Sequence, residues 1–186
     1  MPDIYEDGSA SFAFGKAGLL REGNDCTIIS AGEALFHALQ AADELARRGV
    51  RARLIDMPTI KPIDTEAVLA AARETGFIVT VEEHSIHGGL GAAVAEIVVQ
   101  NHPVPMKMIA FPDEFVPAGT SAELFAHYGI TGPAIAEAVK ELLRSSAPGR
   151  AGGFARTELV VPRRRLLCPR CGPKLERLSG FPLGDE

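Results

Sequence analysis

The densest group of chemically capable side chains runs from Glu82 to Gly91, as EEHSIHGGLG. Paired carboxylates such as Glu82 and Glu83 can serve as general acid or base when burial or a neighbouring charge shifts one of them. His84 and His87 add imidazoles, and imidazole with carboxylate is an ordinary metal-ligand set. Gly88, Gly89 and Gly91 open a helix whose free amide donors and dipole favour an anion. Each reading has a plainer counterpart. The two histidines sit in a turn, not at the helical spacing that fixes two imidazoles on one face. The glycines do not make G-x-G-x-x-G, and a tight strand-to-helix junction needs glycine in any case. Carboxylates at a strand end also accept backbone donors or pair across an interface. The sequence therefore marks a candidate interface or anion site made of Glu82, Glu83, His84, Gly88, Gly89 and Gly91, with no catalytic and no metal residue assigned.

The elements that must position this group alternate. Phe77 to Val81 (FIVTV) has the apolar, β-branched composition of a strand buried on both faces, with the glutamates where it should end. The run after Gly89 predicts a helix to Gln100 that buries Leu90, Val94, Ile97 and Val98. Upstream, Asp25 to Ser30 (DCTIIS) reads as a buried strand, then a helix to about Arg48 closed by Gly49, then a half-buried strand from Val50 to Asp56. Asp64 is placed to N-cap a short alanine-rich helix ended by Gly76. Downstream, Pro103 to Ala110 supplies a fourth strand. Thr120 with Glu123 forms a capping box, and Thr131 caps a last helix with Ile135, Ala138, Val139 and Leu142 on one stripe. Such alternation predicts an α/β fold with an open, mostly parallel, doubly wound sheet.

The domain expectations are a linker or ribbon over residues 1–22, one α/β domain over 23–143, and a basic, disordered tail over 144–186. Charge divides at the same place. Residues 1–143 hold 10 Lys or Arg against 20 Asp or Glu, whereas 144–186 hold 9 against 4. The acidic body disfavours nucleic acid, whose binding rests on clustered cations. No apolar run of membrane-spanning length occurs and the start MPDIYEDGSA is not a secretory signal, so the expectation is a soluble, cytoplasmic protein with no membrane partner. Three cysteines, Cys26, Cys168 and Cys171, do not make a disulfide framework. Cys168-Pro169-Arg170-Cys171 is half of a zinc knuckle and lacks a second ligand pair. Ser30, Thr59, Ser85 and Cys26 have no placed base, so no nucleophilic constellation is assembled.

Taken together, GKAGLLREGNDCTIISAGEAL, LIDMPTIKPID, VTVEEHSIHGGLGAAVAEIV, FPDEFVPAG and HYGITGPAI, in this order, resemble the carboxy-terminal domain of the transketolase family over about residues 1–143. The likeness is nearest to the carboxy-terminal subunit of split transketolases. Related domains end the deoxyxylulose-phosphate synthases and the β chains of 2-oxoacid dehydrogenases. His84 after the paired glutamates and the TIKPID stretch favour transketolase over the synthase.

The resemblance implies an enzyme that moves a two-carbon ketol unit between sugar phosphates, with thiamine diphosphate and Mg2+ in the complete enzyme and neither bound by this chain alone. It implies thiamine-binding transketolase domains or a subunit as partners in a homo- or hetero-oligomer. Glu82, Glu83 and His84 would then face partner domains. A stand-alone module of the same fold that binds a small anion or regulator is the alternative. The start at Met1, close to the family's domain linker, and a tail without a family counterpart lead to the expectation of a gene fragment.

Overall fold

The structure, a computed structural model, describes residues 4–5 and 12–145. The expectations for 146–186, including the zinc half-knuckle and the arginine run, lie outside the described residues. Ten elements follow in order: β1 (Gly18–Arg21), β2 (Cys26–Ser30), α1 (Ala34–Arg47), β3 (Ala52–Asp56), α2 (Thr65–Thr75), β4 (Ile78–Ser85), α3 (Leu90–Asn101), β5 (Met106–Phe111), α4 (Ser121–Tyr128) and α5 (Gly132–Ser145). The sheet has five strands in the order β1-β3-β2-β4-β5. β3, β2, β4 and β5 are mutually parallel, and β1 runs antiparallel along β3.

Strand alternation sorts the core into two layers. On one face Ile28, Leu54, Val79 and Val81 pack with Leu35, Ala38 and Leu45 of α1 and Ile135 and Val139 of α5. On the other, Ile29, Ile55 and Ile78 pack with Val68 and Ala71 of α2 and Leu90, Val94 and Val98 of α3. This is the period-two rule applied to buried strands, each contributing its odd and even residues to opposite helix layers. Every residue of β2 is buried, as its central place in the sheet requires.

Three sequence readings shift. The half-buried strand expected from Val50 is buried at Ala52, Leu54, Ile55 and Asp56, because helices cover both of its faces and β1 pairs along its outer edge. Among the described residues the leading ribbon provides that one strand, and Phe12 to Lys16 forms a turn closed by Lys16 N–H to Ala13 O. β4 does not stop at Val81 but runs to Ser85, with a register irregularity against β5 between Val81 and Ser85. The caps of α2 and α4 fall where the sequence puts them. Asp64 accepts from Ala67 N–H, Gly76 closes α2, and Thr120 with Glu123 forms the full capping box of α4.

Asp64 also holds the leading segment, since its Oδ2 accepts from Ala17 N–H at 3.1 Å while Lys16 lies 3.8 Å away. Burial pushes its carboxyl up, but the Ala17 and Ala67 amides and the Lys16 ammonium outweigh that and leave it below the usual aspartate range. A depressed folded-state pKa gives stability that is present above the unfolded value and lost as pH falls through the folded one. Asp64→Ala is expected to cost about 1–2 kcal/mol by urea unfolding at pH 7. The difference from wild type should shrink as the pH is lowered below about 4, the ordinary aspartate value; a deficit that stays constant down to acid would show that the cap does not act through its charge.

Candidate functional site

In a doubly wound sheet the chain leaves neighbouring strands in opposite directions at one point, and the crevice outside the carboxyl ends there is the usual ligand position. Here that switch lies between β2 and β4: β2 leads into α1 on one face, β4 into α3 on the other. The Glu82–Gly91 stretch sits on it.

Glu82 and Glu83 are consecutive in an extended strand, so their side chains leave opposite faces. Glu82, 4% exposed, reaches α3 and accepts from Leu90 N–H at 2.7 Å and Gly91 N–H at 2.8 Å. Glu83 reaches α1 and accepts from Glu33 N–H and Ala34 N–H, both at 3.1 Å. Each carboxylate thus answers two orphan amides at a helix start and meets the positive end of its dipole.

Glycine makes room for both. A Cβ on Gly89 would collide with the Glu82 carboxylate. Gly32 stands at φ +60, and a Cβ there would collide with the Glu83 carboxylate. Gly91 has a packing task, because a Cβ would come within 2.8 Å of Thr80 Oγ1 and 2.9 Å of Met108 Sδ across the α3–sheet contact. The anion that the glycine turn would have received is in effect the chain's own Glu82.

Above these caps lies a crevice of about 270 Å3 bounded by Ala31, Ile60, His84 and Gly88 as well as the two glutamates. It is smaller than the roughly 300–1,000 Å3 of ordinary ligand sites. His84 is exposed, with Nδ1 3.1 Å from the Ser85 carbonyl oxygen, and His87 lies exposed in the turn, its N–H donating to Ser85 Oγ. Among the described residues no group of three or more His, Cys, Asp or Glu could hold a metal ion. Among the described residues, this crest does not fit thiamine diphosphate or its metal, since its two strand-end carboxylates are turned onto backbone amides.

Cys26 is fully buried in β2, and burial together with the Asp25 carboxylate pushes its thiol up to about 12. A thiol so protonated is a poor nucleophile.

The structure brings together all six candidate residues and adds Gly32 with the Glu33 and Ala34 amides, which sequence reasoning did not single out. The available signal was a second strand-glycine-helix junction, IIS-AGE-AL, matching TVEEHSIHGGLG in layout. Also unread were exposed apolar side chains on loops at the same edge: Ile60 after β3, and Phe115 and Val116 after β5. Among the described residues no helix is long and apolar enough to cross a membrane.

Residues 15–135 match the family described as transketolase, C-terminal domain. The chain belongs to that family. It is 49% identical over 144 residues to a subunit of the apulose-4-phosphate transketolase of Phocaeicola vulgatus, covering 77% of this chain and 46% of that protein. It is 40% identical over 129 residues to 1-deoxy-D-xylulose-5-phosphate synthase of Heliobacterium modesticaldum, covering 69% of this chain and 20% of the synthase. A solved split-gene transketolase chain, described as an inactive beta4 tetramer, superposes with a TM-score of 0.72 at 38% identity over 77% of this chain and 46% of its own. The chain therefore spans less than half the length of these relatives. In this chain the double cap stands at the switch point of that fold.

Two outcomes follow from the site. Glu82→Ala leaves the buried Leu90 and Gly91 amides without a partner and is expected to lower unfolding stability by about 2–3 kcal/mol, with Glu82→Gln, which keeps an acceptor, losing less. Equal losses for the two variants would count against the capping account. In a Cys168→Ser, Cys171→Ser background, Cys26 should resist a thiol-specific dye in the folded protein and react on unfolding in guanidinium; prompt labelling of the native chain would contradict the burial assigned to it.

Proposed function

We propose that this chain is the carboxy-terminal section of a thiamine-diphosphate-dependent transketolase and that it contributes subunit and interdomain contacts, not reacting groups. The observation that carries the reading is that both strand-end carboxylates at the switch point are engaged on backbone amides, in a chain that spans less than half of a transketolase subunit. In the complete enzyme the reaction is the transfer of a two-carbon ketol unit between sugar phosphates. The diphosphate and its Mg2+ are held by other domains. The greater identity to a transketolase subunit than to the synthase favours the former chemistry.

The anion-binding alternative requires a free ligand to displace Glu82 from two amides. That carboxylate is delivered by its own strand and forfeits no translational freedom on binding, whereas a free anion does. In the same reading the boundaries expected at residues 23 and 143 move outward: the α/β domain takes in β1 (Gly18–Arg21), which pairs with β3, and runs to the end of α5 at Ser145.

Calorimetric titration of the purified chain with thiamine diphosphate and Mg2+ tests the assignment. No saturable heat is expected. Stoichiometric binding at micromolar cofactor would mean that the chain carries a cofactor site of its own and that the contact role is wrong.

A further inference from the structure

A second concavity lies away from the crest, in the angle between α2 and the antiparallel strand β1. Arg53 and Ile55 are two apart on β3 and so share one face of the sheet, the face on which α2 packs. Leu19 of β1 pairs with Ile55 and widens that floor. Ala67, Ala70 and Glu74 stand three and four apart on α2 and form one stripe of the helix. Alanine at 67 and 70 is too short to fill the angle, and a groove of about 240 Å3 remains, with exposed Glu22 at its rim.

The polar content of this groove differs from that of the crest, where both carboxylates are answered. The Arg53 side chain is 14% exposed, a depth at which a guanidinium has to be paired. Its Nη2 donates to Glu74 at 2.6 Å, whereas its buried Nε has no partner among the described residues. Buried donors are nearly always matched, so an unmatched one marks a place where an acceptor belongs. A guanidinium takes a carboxylate through two parallel bonds, and Glu74 supplies only one. Glu74 is itself more than half exposed and can yield that position. The groove therefore offers a cation in its floor and, directly beside it, the two acids Glu74 and Glu22.

Adjacent opposite charges are met by a molecule that carries both on one carbon. We infer that the groove binds a small α-amino acid with an aliphatic side chain. Its carboxylate lies on the Arg53 guanidinium, its ammonium between Glu74 and Glu22, and its side chain against Leu19, Ile55 and Ala70. The volume, below the roughly 300–1,000 Å3 of ordinary ligand sites, limits the occupant to a molecule of that size. A simple anion would be opposed by the two rim carboxylates and a simple amine by Arg53, whereas the zwitterion satisfies both. This site goes beyond the contact role assigned to the chain and uses no residue of the crest.

Calorimetric titration of the full chain with L-leucine tests the assignment. Saturable binding is expected, with a Kd at or below about 1 mM. Isocaproate lacks the ammonium and isoamylamine lacks the carboxylate; each should bind about tenfold more weakly or worse, because bonds to a charged group are lost. Arg53→Lys, which keeps the charge but not the fork, should weaken leucine binding about tenfold. Ala70→Leu fills the groove from the helix with another good helix former, and should abolish the heat while the chain unfolds at the wild-type urea concentration. That variant separates loss of the site from loss of the fold. Absence of saturable heat with millimolar leucine would overturn the proposal. So would analogues that bind as well as leucine, or binding that survives Ala70→Leu. None of these outcomes bears on the titration with thiamine diphosphate and Mg2+, so this site and the contact role stand or fall separately.

Discussion

The strongest constraint in this domain is the requirement to satisfy two helix starts at one point. In an open α/β sheet the switch point brings the positive ends of two helices to adjacent strands, each with amides that have no partner inside the helix. Water or a bound anion is the usual answer. Here β4 continues past the level at which its apolar run ends, and two consecutive glutamates on an extended backbone send one carboxylate to each face. The extension of β4, its irregular register against β5, and glycines at 32 and 89 are all conditions for that delivery. A charge-assisted bond of this kind contributes about 1.5–3 kcal/mol where it is buried, as both bonds of Glu82 are, and less at the partly exposed Glu83.

That answer has a consequence for chemistry. The carboxyl ends of the strands are where such sheets ordinarily hold ligands, because the amides there are free. Once the amides are answered internally, the crest loses its best anion donors and its two most useful acids together. What remains facing outward is His84, His87 and a set of loops whose exposed residues include Ile60, Phe115 and Val116. A surface of that composition suits a contact, since burying aromatic and aliphatic side chains is favourable.

Much of this was legible in the sequence, for identifiable reasons. Apolar β-branched runs marked β2 and β4, and Asp64, Gly76 and Thr120 with Glu123 marked helix ends, because capping chemistry is local and needs no knowledge of the sheet. The strand order and the burial of β3 were not legible, since they depend on β1 pairing along β3 from the far side. The orientation of the crest was legible only in part. Two adjacent carboxylates at a strand end could be read directly, but whether β4 stopped at Val81 or ran on decided whether they would lie in a turn or point to opposite faces. The register against β5 decides that, and register is a tertiary property.

The leading segment shows how the same economy extends beyond the crest. Tyr5 donates to Asp56 Oδ2 at 2.6 Å, Gly15 N–H to Thr59, and Ala17 N–H to Asp64. Burial pushes the Asp56 carboxyl up, and the Tyr5 hydroxyl partly offsets this. Asp64 serves α2 as cap and the leading segment as anchor with its two oxygens, so the helix start and the path of the chain into β1 are not independent. β1 in turn covers the outer edge of β3, whose carboxyl end carries the Ile60 loop. The two ends of the sheet's carboxyl edge thus differ in kind: the β3 end is braced by three anchors from the leading segment, whereas the β5 end carries Phe115 on a loop whose Glu114 is held by the Tyr128 hydroxyl.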